Sequence, residues 1–446
     1  MKKKATLALL LVMTMLLSGC ALIKKDAAVD AARVILSYNG TDVTKAQVQA
    51  QVNYELQQTA YMYSMYYGSS YDTTDPANIA AAQESAVSNI IRDLVLKAHV
   101  QDMKIEEKLS EEDLKEISET AQSDYDYALT FARSQVDQTL EGDALEEAAK
   151  AYLDERQVSL EAYEEDAKQE KLLELLRAEV VKDVTVSDEE VETEYNSRVE
   201  SAKTTYEGNP AGYADAANSG TVYYAPAGVR RVKQILLKFP QDNQTAITDA
   251  NTKVTQANSR VTAAQQILDD AEAPEEDKTK AQADLEAAQA ELEEANKAVT
   301  EATDAAYAAI DAEADEVLQQ LKDGADWDTL MAEKTQDPGM QTGRDTAVTG
   351  YAVAEGMTSF DSAFVDAAMA LKAVGDVSGK TRGSSSGYYI IKYFADQAEG
   401  AIPLDTVKDT LHDTLLSTKQ TNHYNETVEA WVTEAGIKAD MNALKD

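Results

Sequence analysis

The stretch GSSSGYYIIKYF, residues 383–394, decides how the C-terminal half of this chain is interpreted. Its glycine and serine residues predict a polar turn, and the aromatic and β-branched residues after them predict a strand in a mostly buried sheet. Tyr388 and Tyr389 stand at the start of that strand, where a catalytic histidine could have been placed. The stretch therefore predicts the closing strand of a sheet with tyrosines at its mouth.

The segments before this strand have a recognisable order. A compact apolar strand, VRRVKQILLKF, occupies residues 229–239. A helix pattern then ends in LKDGADWDTLMAEKTQDPG at residues 321–339, and it is followed by VTG at 348–350 and GDVSG at 375–379. The order is thus strand, helix, short helix and closing strand.

Residues 245–310, which separate the first strand from this helix, have the clearest periodicity in the chain. Large apolar residues mostly alternate with alanine at spacings of three and four, with a break at APEED, residues 273–277. Alanine in one layer lets two helix backbones approach, so the pattern predicts an antiparallel coiled-coil hairpin with arms of about 35 to 40 Å. Such an arm is either a plain spacer or a surface that contacts other components.

The N-terminal half is predicted to be almost wholly helical. A short strand and an Asn-Gly turn at residues 39–40 lead into a helix capped near Thr41 or Thr44. Further helix starts are predicted at Ser110 and Ser187, where acidic residues follow the serine.

Composition excludes several classes of protein. The 446 residues contain 80 Asp and Glu against 41 Lys and Arg, a formal charge of −39. So acidic a surface repels phosphate backbones, and we expect no nucleic-acid partner. Cys20 is the single cysteine, which rules out an intramolecular disulfide. The three histidines, His99, His412 and His423, are scattered, so we expect neither a metal site nor a cofactor.

The N-terminus has the features of an export signal. Three lysines precede an apolar run from Ala5 to Leu17, which is short for a bilayer span, and small residues precede Cys20. The Leu-Ser-Gly-Cys ending resembles the lipobox of bacterial lipoproteins. It implies a signal peptide over residues 1–19, a lipidated tether over residues 20–32 and a place on the extracytoplasmic face of the cell membrane. The alternative is an ordinary signal peptide with an incidental cysteine.

The strand and helix order of residues 229–397 resembles the parvulin family of peptidyl-prolyl isomerases, interrupted by the hairpin at 245–310. With the lipobox, the helical flanks look like the lipid-anchored parvulin foldases of the PrsA type and, more loosely, like SurA. The resemblance implies an α+β protein: a mostly helical chaperone (foldase) domain with an inserted parvulin-like α/β domain. Residues 33–228 would form the N-terminal part of the helical domain, and helices in 398–446 would pack on it.

The family motif maps onto this chain with departures. Asp337 in TQDPG stands where the family has Cys or Asp, and Ser386 matches the serine before the closing strand. The two family histidines correspond to Gln234 and Tyr389. These four residues are the candidate catalytic set, and we expect Tyr389, Gln234 and Asp337 to meet in one polar cluster.

The same motif implies a substrate-binding floor. Met357 and Phe364 correspond to the apolar residues that receive the proline ring, and Thr349 replaces a leucine and makes the slot more polar. Isomerisation twists an amide over a barrier of about 18 to 20 kcal/mol without proton transfer, so loss of both histidines leaves activity possible. The sequence is equally compatible with a weak isomerase and with an inactive fold kept for client binding.

Two further stretches have alternative interpretations. Residues 383–387 match the G-x-S-x-G elbow of hydrolases, but that elbow needs a helix after it, and here a strand follows. YMYSMYYGSSY, residues 61–71, would either line a client-binding crevice or pack in a helical core.

Three functions remain open: a foldase with weak isomerase activity that acts on unfolded or exported polypeptides, an inactive holdase or assembly chaperone, and a structural surface lipoprotein. The oligomeric state is not indicated by the sequence.

Overall fold

The computed structural model describes residues 26–445. The signal peptide, Cys20 and the first part of the predicted tether, residues 20–25, lie outside the described residues. The α-helices are α1 Ala27–Ala31, α2 Lys45–Tyr67, α3 Pro76–Asp102, α4 Glu111–Gln135, α5 Gly142–Asp154, α6 Leu160–Val181, α7 Asp188–Tyr206, α8 Pro210–Ala217, α9 Gln241–Asp269, α10 Glu275–Lys322, α11 Trp327–Lys334, α12 Asp345–Thr349, α13 Ser362–Ala370 and α14 Leu404–Ala435. The strands are β1 Val34–Tyr38, β2 Thr41–Thr44, β3 Tyr224–Ala225, β4 Arg230–Lys238, β5 Tyr351–Val353, β6 Thr381–Arg382, β7 Gly387–Asp396 and β8 Gly400–Ala401.

Helices dominate the described chain and strands are few, which confirms the predicted class of a mostly helical α+β protein. No helix within residues 26–445 is both long enough and apolar enough to cross a membrane.

The chain divides into two compact units, one that ends at Val186 and resumes at Thr414, and one that lies between those points. The sequence placed the boundary at residue 228 instead. The difference arises because α8 contributes Tyr213 and Ala214 to the core that packs on the main sheet. Helices α7 and α8 therefore belong with the second unit.

Helix starts in the first unit follow the predicted caps. Thr44 accepts a hydrogen bond from the backbone of Gln47, whose side chain accepts one from the backbone of Thr44 in return. Ser110 and Asp113 form the same reciprocal pair at the start of α4. Because two orphan N–H groups are satisfied at each start, these residues fix where the helices begin, and both predicted starts are confirmed.

The first unit is built around three apolar clusters. The β1–β2 hairpin packs with α2, α3 and a 3₁₀ turn at Met441–Leu444. Helices α3, α6 and α14 share a second cluster, and α4 and α5 share a third. The C-terminal segment is thus part of the same unit as the N-terminal helices.

The second unit contains a four-stranded sheet in the order β5-β4-β7-β6. Strands β4 and β7 pair antiparallel, with Leu236 opposite Tyr389 and Leu237 opposite Tyr388. Neighbouring residues on a strand point to opposite faces, so the two tyrosines at the mouth of β7 lie on different faces of the sheet. The stretch GSSSGYYIIKYF therefore completes the sheet beside β4.

Each face of this sheet has its own core. On one face, Tyr389 packs with residues of α8 and α13. On the other face, Tyr388 packs with the C-terminal part of α10 and with α11. The candidate site lies on the Tyr389 face.

Helices α9 and α10 pack against each other along a seam of buried alanines, which include Ala250, Ala257 and Ala288. Arg260 and Glu291 form an ion pair across them. Helix α10 continues without a break from this pairing into the sheet core, because no helix-breaking residue interrupts its 48 residues.

Candidate functional site

Asp337 is held in place by the segment that follows α11. The Gln336 N–H donates to the Leu236 carbonyl at 2.8 Å, and the Leu236 N–H donates to the Thr335 hydroxyl at 3.2 Å. The Asp337 carboxylate also accepts a 3.0 Å hydrogen bond from the Gly339 N–H, which caps the 3₁₀ turn Pro338–Met340. These three hydrogen bonds fix the segment that carries Asp337 beside β4.

Gln234, Asp337 and Tyr351 form a hydrogen-bonded cluster on the sheet. The Nε2 of Gln234 donates to Oδ2 of Asp337 at 2.7 Å. The Tyr351 hydroxyl lies 3.1 Å from Oδ2 and 3.3 Å from Oδ1 of the same carboxylate. Gln234 and Asp337 are only 8% and 7% exposed. A buried carboxylate needs such donors, because leaving it without partners costs several kcal/mol.

The chain approaches itself closely at Gly339. A Cβ at this position would lie 1.8 Å from the Tyr351 hydroxyl, so only glycine allows the hydroxyl to reach Asp337. Burial, and then the neighbouring carboxylate, raise the pKa of Tyr351 well above its usual range. The phenol therefore remains a protonated donor at physiological pH.

Tyr389 belongs to a neighbouring group rather than to this cluster. Burial raises its pKa, the Ser386 hydroxyl lowers it, and the carboxylates of Asp361 and Asp337 raise it in turn. The side chains that act on the Tyr389 phenol thus include those of Ser386 and Asp361. The structure thus joins Gln234 to Asp337 as expected from the motif, but Tyr351 fills the place that the sequence assigned to Tyr389.

Met357 and Phe364 lie together on the same sheet face but are covered. They are 5% and 3% exposed and pack in one core with Tyr389. Phe360 stands between Tyr351 and Phe364, with ring centroids 5.0 Å and 5.5 Å away, and Phe364 is 5.4 Å from Tyr389. These rings therefore pack edge to face in one aromatic row, and Phe364, in the middle of the contacts to Phe360 and Tyr389, is buried.

Thr349 is not part of this floor. It is the last residue of α12, and its side chain is exposed. Its hydroxyl donates to the Asp345 carbonyl at 2.9 Å, as a threonine near a helix end commonly does. The residue expected to make the slot more polar is therefore exposed and bonded within its own helix.

The cluster can stabilise a twisted amide only indirectly. Both oxygens of Asp337 already accept hydrogen bonds, from Gln234, Tyr351 and Gly339, so the carboxylate has little capacity to accept one from a substrate. Within residues 26–445, Oε1 of Gln234 is a buried acceptor without a hydrogen-bond partner. The carboxylate therefore orients Gln234 and Tyr351, and the apolar floor is what a prolyl ring would contact.

Three site residues were not anticipated from the sequence: Tyr351, Phe360 and Asp361. Asp361 caps α13 by accepting from the Ala363 N–H at 3.0 Å, and this cap orients the helix that carries Phe364. A signal existed for Asp361, since an aspartate before an apolar helix is a common cap. Phe360 is four residues before Phe364, but it precedes α13, which begins at Ser362. Helical spacing therefore did not point to it.

Other chemistries find little support in the described residues. Between residues 26 and 445, no group of three or more His, Cys, Asp or Glu side chains could hold a metal ion. Residues 383–387 connect strand β6 to strand β7, whereas a hydrolase elbow connects a strand to a helix. The hydrolase interpretation of the G-x-S-x-G match is therefore wrong.

The first unit has a separate candidate site on the C-terminal half of α2. Here tyrosine and methionine side chains are exposed to between 40% and 74%; we name them the Tyr/Met surface: Tyr61, Met62, Tyr63, Met65, Tyr66 and Tyr67. The alternative that this segment packs in a helical core is wrong for these residues.

No family model and no curated protein matches the sequence. Eight solved chains match it. The foldase protein PrsA of Streptococcus pneumoniae is 15% identical, with 92% of this chain and 97% of that chain covered and a TM-score of 0.28.

Two further structures are similar at the same level. The peptidylprolyl isomerase PrsA of Bacillus anthracis is 16% identical, with 78% of this chain and 96% of that chain covered and a TM-score of 0.18. The third structure comes from a study of PEB4 and Cj1289, two SurA-like chaperones of Campylobacter jejuni. It is 14% identical, with 90% of this chain and 97% of that chain covered and a TM-score of 0.22. Over most of its length and at low identity, this chain is similar to PrsA foldases and SurA-like chaperones.

Proposed function

We propose that this protein is a lipid-anchored extracytoplasmic foldase that binds unfolded, exported polypeptides and catalyses prolyl isomerisation slowly. The observation that carries the chaperone role is the Tyr/Met surface, whose six side chains are exposed on one helix. Large apolar side chains exposed together are typical of sites that bind other polypeptides.

The composition of this surface suits clients of varied sequence. Residues 56–71 contain no charged side chain, although the whole chain has a formal charge of −39. Tyrosines supply rigid contact area with a polar tip, serine and glycine adapt, and methionine fills irregular gaps. An uncharged unfolded segment can therefore dock here without burying charged side chains of this surface, which would be costly.

Suppression of aggregation tests this role. We expect the triple substitution of Tyr61, Met65 and Tyr66 by serine to weaken protection of a chemically unfolded client, measured by light scattering. Replacing Tyr127 and Phe131 by serine is the matched control, because these residues are 64% and 54% exposed on α4 in the same unit. Equal protection by the triple variant and the wild type would exclude the surface as the client site.

The isomerase activity has its own supporting observation. Gln234 and Tyr351 hold the buried Asp337 carboxylate on the sheet face that also carries Met357 and Phe364. An apolar floor beside fixed donors is what an enzyme needs to favour a twisted amide over a planar one. Because the floor is covered in the free protein, we expect the reaction to be slow.

Exchange NMR on X-Pro peptides, with the full chain as catalyst, tests this activity directly. A rate above the uncatalysed one supports the isomerase. A rate equal to the uncatalysed one, together with retained protection of unfolded clients, would identify an inactive holdase. Absence of both activities would favour a structural surface lipoprotein.

Anchoring through Cys20 is the third part of the proposal. Lipid on Cys20 would hold the protein at the extracytoplasmic face of the cell membrane, with the following residues as a tether. We expect Cys20→Ala to be recovered unprocessed or released from membranes, and Cys20→Ser offers a second variant of closer size. A Cys20→Ala protein that still carries lipid would refute the lipobox interpretation.

A further inference from the structure

The base of the α9–α10 arm lies inside the core of the second unit. Ala306, Tyr307 and Ile310 of α10 are at most 5% exposed and pack under the sheet face opposite the candidate site. They lie within the segment 245–310 that the sequence assigned to the hairpin alone. We name these three buried residues the arm root. They are buried because α10 serves both as an arm helix and as a core helix.

Tyr307 connects these buried residues to the loop between β6 and β7. Its hydroxyl donates a hydrogen bond to the Gly383 carbonyl. Its ring packs between Phe239 and Tyr388, with centroids 4.8 Å and 4.9 Å away, and the Arg382 guanidinium lies 4.4 Å from its centroid. Burial raises the pKa of Tyr307 to about 12, so the hydroxyl remains a donor at physiological pH.

Gly383 begins the loop 383–386, which lies against the candidate site. A Cβ on Gly383 would come within 2.6 Å of Cε2 of Tyr389 and 3.1 Å of Oδ2 of Asp361, so the backbone packs directly on the Tyr389 ring. The Gly383 N–H donates to the Gly387 carbonyl at 2.9 Å, which closes the loop.

Asp361 holds the same loop from the other side. Its carboxylate accepts from the Ser384 N–H and, at 2.8 Å, from the Ser384 hydroxyl. The same carboxylate caps α13, which carries Phe364. The loop is thus fixed at one end by the arm root, through Tyr307, and beside it by the helix that bears the substrate floor.

We propose that Tyr307 is a positioning residue of the candidate isomerase site and that the arm root is part of that site. By holding the Gly383 carbonyl, Tyr307 keeps the loop 383–386 against the Tyr389 ring. The inference rests on the isomerase activity proposed above. It assigns to the arm a role in the site in addition to that of a spacer.

The test compares Tyr307→Phe with Tyr393→Phe in the full chain. Both substitutions remove one buried phenol oxygen, but the Tyr393 hydroxyl donates to Asp396, away from the loop and the arm. We expect Tyr307→Phe to lower kcat for X-Pro isomerisation about three- to tenfold, the range expected for one lost hydrogen bond, with KM changed less than about twofold.

Backbone amide exchange provides a readout that does not depend on catalysis. We expect exchange at Gly383 and Ser384 to accelerate in Tyr307→Phe and to stay unchanged in Tyr393→Phe. Unchanged exchange at both amides in Tyr307→Phe would overturn the positioning role. If the wild type does not catalyse isomerisation but the exchange difference is observed, the proposed activity fails while the contact between arm and loop is upheld.

An equal loss of kcat in both tyrosine variants would also refute the proposal, because a general loss of core packing would then explain the effect.

Discussion

Gln234 and Asp337 are 103 positions apart in the chain, yet the amide of one donates a 2.7 Å hydrogen bond to the carboxylate of the other. The whole α9–α10 arm lies between them in sequence. The pair is therefore a direct consequence of how α10 returns the chain to the sheet beside β4.

The first prediction concerns this pair. Gln234→Leu removes one donor from a buried carboxylate, and we expect it to lower the free energy of unfolding by about 1 to 3 kcal/mol. Asp337→Leu also removes the acceptor of the Gly339 N–H, so it should lower the free energy of unfolding by at least as much. The double variant leaves neither Gln234 nor Asp337 without the other, although Tyr351 and Gly339 still lose their acceptor. Its loss, measured by urea denaturation, should therefore be less than the sum of the two single losses. Strictly additive losses would show that the two side chains do not stabilise each other.

The second prediction concerns the covered floor. Phe360→Ala should raise the isomerisation rate a few-fold, because it removes a ring that packs edge to face on the buried Phe364. Phe364→Ala should lower the rate roughly tenfold, the equivalent of one aromatic contact of about 1.4 kcal/mol, and Tyr389→Phe should have the smaller effect. Exchange NMR at fixed enzyme concentration measures all three, with Phe131→Ala as an exposed control. A loss of activity confined to Tyr389→Phe would contradict a mechanism based on the floor.

The third prediction concerns where the arm can be cut. Replacing residues 251–303 by a short Gly/Ser linker should leave the melting temperature of the second unit nearly unchanged, because the buried root is retained. Replacing the predicted hairpin, residues 245–310, removes Tyr307 and Ile310 from the core and should destabilise the unit by several kcal/mol. Calorimetry on the two deletions distinguishes them. Equal stability would mean that the root does not support the sheet.

The fourth prediction is a pH dependence in the first unit. Hydrogen bonds from Lys108 and Lys182 lower the pKa of Glu179 from 4.5 to about 2. A lowered carboxylate pKa stabilises the fold above the unfolded value and ceases to do so as pH falls through the folded value. The stability difference between the wild type and Glu179→Gln should therefore be largest above about pH 4.5 and disappear toward pH 2.

Thermal melts across that pH range measure the difference. Glu147→Gln on the exposed surface of α5 is the control, and we expect it to show no such trend. A difference that grows on acidification would have the opposite sign and would contradict the assigned ion pairs.

Local sequence patterns anticipated the fold better than they anticipated the site. Ser110 and Thr44 mark helix starts because capping is decided by residues three positions apart. The end of the hairpin was misplaced because the apolar periodicity of α10 continues from the arm into the core without a change of period. Periodicity records that a face is buried but not what covers it.

The site residues show the same limit. Gln234 and Asp337 could be matched because each lies in a short motif. Tyr351 could not, since its role depends on the absence of a side chain at Gly339, which no local pattern reports. Thr349 was misplaced because its hydroxyl bonds within its own helix end. The exposure of Tyr66 could not be predicted either, because it depends on whether another element packs on that end of α2, which is a tertiary property.

The unbroken course of α10 makes the arm adjustable in fixed steps. Its seam with α9 repeats every seven residues, so adding or removing one heptad from both helices preserves the register of every remaining pair. Each such step changes the reach by about 10 Å, at roughly 1.5 Å per residue. In the part of the chain that the structure describes, α9 and α10 reach the sheet core through Ile247 and through α10 from Ala306 onward. The length of the outer arm can therefore vary without disturbing the unit that carries it.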